Sequence, residues 1–346
     1  MGFGWPLMIA RRTNLKLKQT IALQSQRHMS RLVLPPPKLI TIDAFGTIYT
    51  PRPTVAEQYS NLYAVHFPLH DQIDPETLDA SFKVVFKSLQ QTHPNYAGGE
   101  RNWWCRAIRD TFRTAKAAAF IDNDVAEDTE IFVLALYNHF NTGAAYALWP
   151  DISSFLAAIP AQTRLGVLSN SDTRSREVLR GLGIIAEETS DQDGAKNKSW
   201  IKTESHVLLS SEVGVEKPDP AIFETAVRVL VGEDDWPQSQ PQSQDLQLQL
   251  QQQPEITKID ALNTAREILY WHIGDEAKRD IQPVITHGHG RLRGWGAVHI
   301  KRANECGDST PGGHVVLKHS GTIIEVSDLR DIQGLWMTGV EVDVEE

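Results

Sequence analysis

Four short segments of this chain carry residue types able to do polar chemistry, and they follow one another in order. Asp43-Ala-Phe-Gly-Thr47 brings a carboxylate and a hydroxyl, and Ser169-Asn170 a hydroxyl and an amide. Lys217-Pro-Asp-Pro220 brings an ammonium, and Gly274-Asp275, followed by Asp280, brings two more carboxylates. A carboxylate can serve as nucleophile or as a hard metal ligand, and a neighbouring lysine keeps it ionised. Each segment alone also has a plain reading. An Asp or Ser ending a strand commonly caps a helix or makes a turn, Lys217 reads as a solvated lysine, and Gly274-Asp275 as a turn. What singles them out is their joint pattern, since each lies after an apolar run or before a helix.

The elements that would position them are short apolar runs separated by helical stretches. Leu39-Ile-Thr-Ile-Asp43, Leu165-Gly-Val-Leu-Ser169, Val207-Leu-Leu-Ser210, Ile268–Ile273 and Ala297-Val-His-Ile300 read as buried strands. Such runs, spaced by helices, predict an α/β fold with a parallel sheet covered on both faces. The polar residues then stand at the carboxyl ends of the strands, where an open α/β sheet places its ligand. Between the first two runs, residues 53–147 read as a helical insert. Asp74-Pro75-Glu76 is a helix start, and Leu78, Phe82, Val85, Phe86 and Leu89 share one face. Trp104, Ile108 and Phe112 mark a second helix; Ile131, Leu134, Tyr137 and Phe140 mark a third, which Gly143 is placed to end. The aromatic residues of the insert, Trp103 and Trp104 included, are expected in its core.

Composition narrows the class. The chain has 346 residues, 41% hydrophobic and 23% charged, a balance that buries a sizeable core. Its net charge of −10 leaves no basic stripe for nucleic acid, and no run is long enough to cross a membrane. Two cysteines, Cys105 and Cys306, are too few for a disulfide framework, which points to a reducing intracellular setting. Residues 1–42 hold seven Lys or Arg and no Asp or Glu. Residues 1–38 thus read as a basic leader, either a mitochondrial transit peptide or a disordered extension of a cytoplasmic or nuclear protein. Initiation at Met29 would remove most of it. Residues 190–205 and 234–255 read as polar insertions, the second with nine glutamines in 238–253. The α/β core is then 39–52 and 148–346, with the insert at 53–147.

The four segments in this order resemble the signature of the haloacid dehalogenase-like hydrolase superfamily. Within it, Pro94-Asn-Tyr96, Trp103-Trp104, Thr111-Phe112 and Ser169-Asn-Ser-Asp172 with Arg174 are most similar to the domain-containing 3 group. The resemblance implies a Rossmann-like core with a helical cap, acting on a small molecule, most simply a phosphate ester. It makes Asp43 the nucleophile that forms an aspartyl-phosphate, and Lys217 the cation beside it. Thr47, Ser169 and the backbone at Asn170 would hydrogen-bond the phosphoryl oxygens. Mg²⁺ would be held by Asp43, the backbone carbonyl of Phe45 and Asp275, with Asp280 behind them. One position departs from the pattern: the acid that usually stands two residues after the nucleophile is Phe45, so turnover of alkyl phosphates is expected to be slow.

Two other readings remain. An aromatic residue at that position also occurs in 2-haloacid dehalogenases, where carbon is attacked and no leaving oxygen needs a proton. Asp275 counts against this, because two carboxylates beside Asp43 call for a cation. The third reading is a catalytically weak member that binds or assembles. His287-Gly-His-Gly290 reads as a Gly-rich connector and His272 as a core histidine. The substrate and the oligomeric state are not legible at this level.

Overall fold

A computed structural model describes residues 30–120, 126–185, 200–201, 203–232, 258–288, 290–302 and 315–344. Outside these fall the leader up to Met29, residues 190–199 of the first polar insertion, the whole of 234–255, and Cys306.

Eleven strands are seen among the described residues: β1 Ser30–Leu32, β2 Leu39–Ile42, β3 Tyr49–Pro51, β4 Tyr146–Leu148, β5 Arg164–Ser169, β6 Val207–Leu209, β7 Tyr270–Gly274, β8 Trp295–Ile300, β9 Val316–Lys318, β10 Ile323–Val326 and β11 Val340–Val344. Nine form one sheet in the order β1-β11-β9-β10-β8-β7-β2-β5-β6. Its middle, from β10 through β8, β7, β2 and β5 to β6, is parallel throughout, as the apolar runs predict. Leu39 to Ile42 are all buried, as a strand covered on both faces requires. On one face the helix Pro220–Leu230 packs Ile222, Phe223, Ala226 and Val227 against Leu39, Leu168 and Tyr270. On the other, Ile40, Ile42, Val167, Trp271 and Val298 meet Ile152, Phe155 and Leu179.

The chain leaves β2 for β5 and β6 on one side and returns through β7 and β8 on the other. That makes the β2 end a topological switch point, where a crevice opens between diverging connections. Register completes the placement: Ile42 stands beside Val167 and Ile273, so Asp43, Ser169 and Asp275 emerge together.

The insert is helical, as expected. Its helices are α1 Val55–His66, α2 Pro75–Thr92, α3 Glu100–Thr114 and α4 Ala126–His139, hung on the β3–β4 ribbon. Asp74 caps α2 by accepting from the Thr77 N–H, with Pro75 in the first turn. Helix α1 starts with a capping box, Thr54 and Glu57 each bonding the other's backbone; periodicity alone did not reveal this helix. Of the residues expected on the buried side of helix α4 and its end, Tyr137 and Phe140 are in the core, whereas Ile131 and Leu134 are not. Ile131 is 54% exposed and Leu134 half-buried, while Phe132, Val133 and Leu136 fill the core. The run Ile131–Tyr137 is apolar on every side, so spacing could not choose a face.

Two features depart from the sequence reading. Strands β9 to β11 widen the sheet beyond the five expected runs. Strand β1 pairs antiparallel with β11 and buries Leu32, with Leu34 buried just after it, although both lie in the stretch read as leader. A three-residue edge strand carries too little pattern to be seen in advance. No helix among the described residues is long and apolar enough to cross a membrane.

Candidate active site

Asp43 follows β2 directly, and its backbone N–H donates to the Ile273 carbonyl, 2.8 Å away. The chain then turns at Gly46, whose φ of +84° lies in the left-handed region. A Cβ there would stand 2.5 Å from Asp275 Oδ2, so glycine lets the turn close over that carboxylate. The Thr47 hydroxyl donates to Asp275 Oδ1 at 2.7 Å. The single Thr47 hydroxyl proton is thus donated to Asp275 and not left for a phosphoryl oxygen, the role the resemblance implies.

Lys217 is buried beneath Asp43. Its Nζ lies 2.9 Å from Asp43 Oδ1 and 2.6 Å from Asp280 Oδ1. The Asn170 side chain grips the Lys217 backbone from both sides, donating to its carbonyl and accepting its N–H, each at 2.7 Å. That amide pairing occupies the Asn170 side chain and sets where the lysine enters the site. Asp280 is fully buried with each oxygen engaged: Oδ1 by Lys217 and by His272 Nε2 at 3.0 Å, Oδ2 by the Glu276 N–H at 2.9 Å. A Cβ on Gly274 would collide with it at 2.2 Å, so that glycine makes the space. His272 is a satisfied core histidine, as read from sequence, but one wired into the site. Its Nδ1 lies 2.9 Å from the Thr41 hydroxyl. With Asp280 ionised, the Nε2–H form follows, Thr41 donating to Nδ1. Burial lowers the His272 pKa and keeps the ring neutral.

The charge balance is lopsided. Oxygen atoms of Asp43, Asp275 and Asp280 lie within 4.8 Å of one another. Burial works against the Lys217 ammonium, but Asp280 and Asp43 outweigh it and raise its pKa. Burial likewise opposes the Asp280 carboxylate, yet Lys217 and His272 hold it below the usual range. Asp275 has no such cation. Burial first, then the charge of Asp43, pushes it up to about 7. Hard oxygen donors with charge left uncompensated suit a divalent cation, and Asp43 with Asp275 are the free-facing pair, Asp280 being committed to Lys217.

A cavity of about 290 Å³ opens from Asp43, Ser169 and Lys217 toward the insert. Phe45 projects into it, 52% exposed. At the far side Asp172 takes the Arg174 guanidinium bidentately, at 2.8 and 2.9 Å, and accepts from the Trp104 indole N–H at 2.5 Å. Arg174 lies over the Trp104 ring, 4.2 Å from its centroid. Trp103 is a core residue as expected, whereas Trp104 lines the cavity. Arg302 went unnoticed in the sequence. It donates to the Thr47 carbonyl at 2.8 Å and pairs with buried Asp151 at 2.6 Å, fixing the back of the turn that carries Phe45 and Thr47. Arg302 follows the end of β8, and no local motif marks it.

Residues 37–238 match the family described as haloacid dehalogenase-like hydrolase. An uncharacterized protein of Saccharomyces cerevisiae is 26% identical over 283 residues, covering 78% of this chain and 74% of that one. The haloacid dehalogenase-like hydrolase domain-containing protein 3 of Xenopus laevis is 30% identical over 195 residues, covering 55% and 70%. Among solved structures, a defluorinating L-2-haloacid dehalogenase aligns over 88% of this chain and 98% of its own, with a TM-score of 0.51 and 13% identity, a likeness of fold.

Proposed function

Since the chain belongs to the haloacid dehalogenase-like hydrolase family, we propose that it is a Mg²⁺-dependent phosphohydrolase working through an aspartyl-phosphate on Asp43. The observation that carries this reading is the buried carboxylate cluster, in which Lys217 pairs with Asp43 and Asp280 while no cation stands beside Asp275 among the described residues. Asp43, the Phe45 carbonyl and Asp275 would hold the cation. When bound, it would neutralise charge on the phosphoryl group.

The chain's own residues do the rest. Lys217 keeps Asp43 ionised and lends positive charge to the transferring group. Asp43 attacks phosphorus, the bond from phosphorus to the leaving oxygen breaks, and that oxygen departs with the electron pair. Ser169 and the backbone at Asn170 orient the phosphoryl oxygens. Water then hydrolyses the aspartyl-phosphate and returns Asp43. Asp280 holds the Lys217 ammonium in place and His272 holds Asp280. The helical insert serves as the cap that excludes water. Phe45 can neither protonate the leaving oxygen nor activate water, so the chemistry is slow for poor leaving groups.

Phe45 also favours a second reading, 2-haloacid dehalogenation, in which Asp43 displaces halide from carbon. The uncompensated Asp275 speaks for the first. Phosphate release from a panel of phosphomonoesters with Mg²⁺, compared between wild type and Asp43→Asn, tests it. Release that is lost in the variant and in EDTA is expected. Halide release from 2-haloacids without metal, with no phosphate release, would replace the proposal by the second reading. Mg²⁺ binding without either reaction would leave a binding protein.

A further inference from the structure

The cavity that begins at Asp43 is lined toward the insert mostly by rings. Phe82 and Phe86 on α2 tilt against each other with centroids 5.4 Å apart, and Phe86 lies 5.9 Å from Trp104. Tyr96 stacks on the other side of that region, 6.2 Å from Trp104 at an interplanar angle of 30°. On the core side, Phe45 stands edge-on to Tyr49. The two guanidinium groups that line the cavity are already paired, Arg174 with Asp172 and Arg279 with Glu276 at 2.9 Å. A second anionic group on the substrate would therefore find cations whose charge is already matched. The volume, about 290 Å³, is roughly twice that of an engineered cavity of ~150 Å³ that takes benzene, enough for a phosphoryl group and one or two fused rings.

A separate observation concerns the leaving group. Phe45 supplies no proton, so the leaving oxygen must depart as an anion. A phenolate, whose charge spreads into its ring, tolerates this far better than an alkoxide.

Shape and chemistry converge, and we propose that this site takes aryl phosphates, the ring of the leaving group lying among Phe45, Phe82, Phe86, Tyr96 and Trp104. The assignment rests on the phosphohydrolase reading above and narrows it to one substrate class. Asp43 attacks phosphorus, the phosphorus–oxygen bond to the ring breaks, and the phenolate leaves with the electron pair and takes its proton from solvent. Aromatic pairing with the ring, rather than a charged contact, supplies selectivity.

The test uses the full chain with Mg²⁺ and four probes. These are phenyl phosphate, 2-naphthyl phosphate, a fluorinated alkyl phosphate matched to phenol in leaving-group acidity, and acetyl phosphate. Aryl probes should exceed the matched alkyl phosphate in kcat/KM by about tenfold, the order expected of one or two ring pairs. Phe86→Leu, with Phe82→Leu as the second variant should the first misfold, should lower the aryl-to-acetyl ratio severalfold. Calorimetry on Asp43→Asn supplies a readout without turnover, and phenyl phosphate should bind more tightly than its alkyl match. Equal rates and equal affinities for the matched pair overturn the aryl assignment while leaving phosphohydrolysis in place. Hydrolysis of none of the four, acetyl phosphate included, overturns both.

Discussion

Under the phosphohydrolase chemistry proposed above, replacing Phe45 by Asp should raise turnover of alkyl phosphates, and the surroundings of position 45 bound the gain. A positioned acid is worth about 10²–10⁴-fold, which is about 3–5 kcal/mol of barrier. The acid must be protonated when the leaving oxygen departs. A carboxyl at position 45 would stand where the Phe45 side chain is 52% exposed, and both solvent access and the Mg²⁺ of the assay would favour its ionised form. The gain therefore belongs at the lower end, about 10²-fold at mildly acidic pH, and fades as pH rises and the new carboxyl ionises. Folding should suffer little. Half-burial of the ring contributes about 1 kcal/mol, and the turn itself is held by Gly46 and Arg302 rather than by that ring. The assay is kcat over a series of phosphate esters of graded leaving-group acidity, with Mg²⁺. Wild type should show a steep dependence and Phe45→Asp a shallow one, with alkyl esters gaining most and aryl esters least. Phe45→Asn, the same shape without the proton, should stay near wild type. An equal gain in both variants, or none in Phe45→Asp with melting temperature and Mg²⁺ affinity unchanged, would refute the idea that position 45 lacks an acid.

Three further outcomes follow from the geometry. Lys217→Ala leaves Asp43 and Asp280 buried without their cation and should cost about 3–5 kcal/mol in urea unfolding; Asp280→Asn in the same background should recover part of that loss. Gly46→Ala would drive a methyl to 2.5 Å from Asp275 Oδ2 at a φ of +84°, so Mg²⁺ affinity by calorimetry should fall at least about tenfold. Next to the site, where His299 also reaches the Asp275 carbonyl at 3.3 Å, Lys318, Lys301 and His299 hold Glu325 down to about 2 against the upward pull of its burial. A carboxyl lowered on folding stabilises at pH above its unfolded value and loses that contribution as pH falls toward its folded one. Glu325→Gln should therefore lower stability by about 2–3 kcal/mol at pH 7 and by almost nothing near pH 2, read from melting temperatures across that range.

The parallel core was legible because its strands are near-continuous apolar runs, and the residues that end them announce a site by being polar. Leu39–Ile42 and Val207–Leu209 form where their patterns say they should. The wider sheet was not legible, since β1 and β9 are three residues each and owe their state to pairing, β1 with β11 and β9 with β10 and β11. Helix α4 was recognisable as a helix, with Tyr137 and Phe140 buried as expected, but Ile131 was misplaced because the run Ile131–Tyr137 is apolar on every side. Within the site, Asp43, Lys217, Asp275 and Asp280 converge as their order suggested. Arg302 escaped because it acts on a backbone carbonyl 255 residues away, a contact only the register of β8 creates. The tie between His272 and Asp280 escaped for a related reason: a buried histidine on a strand looks the same in sequence whether its partner is a core hydroxyl or a carboxylate of the site.

On the phosphohydrolase reading, charge handling and proton transfer fall to different parts of this site. Charge is managed from beneath the sheet edge. Thr41, His272, Asp280 and Lys217 form a chain of hydrogen bonds and ion pairs running from β2 and β7 up to Asp43, every member buried. Removing Lys217 or a carboxylate it pairs with leaves an unpaired charge in a low dielectric, so folding favours keeping this half intact. Proton transfer to the leaving oxygen depends instead on one side chain at the open end of the turn. Position 45 reaches the cavity, and its ring meets Tyr49 edge-on at 6.1 Å. On the phosphohydrolase reading, Phe45 both leaves the leaving oxygen without a proton donor and adds a ring to the cavity beside Asp43, so leaving-group acidity and ring size should be varied independently when this site is assayed.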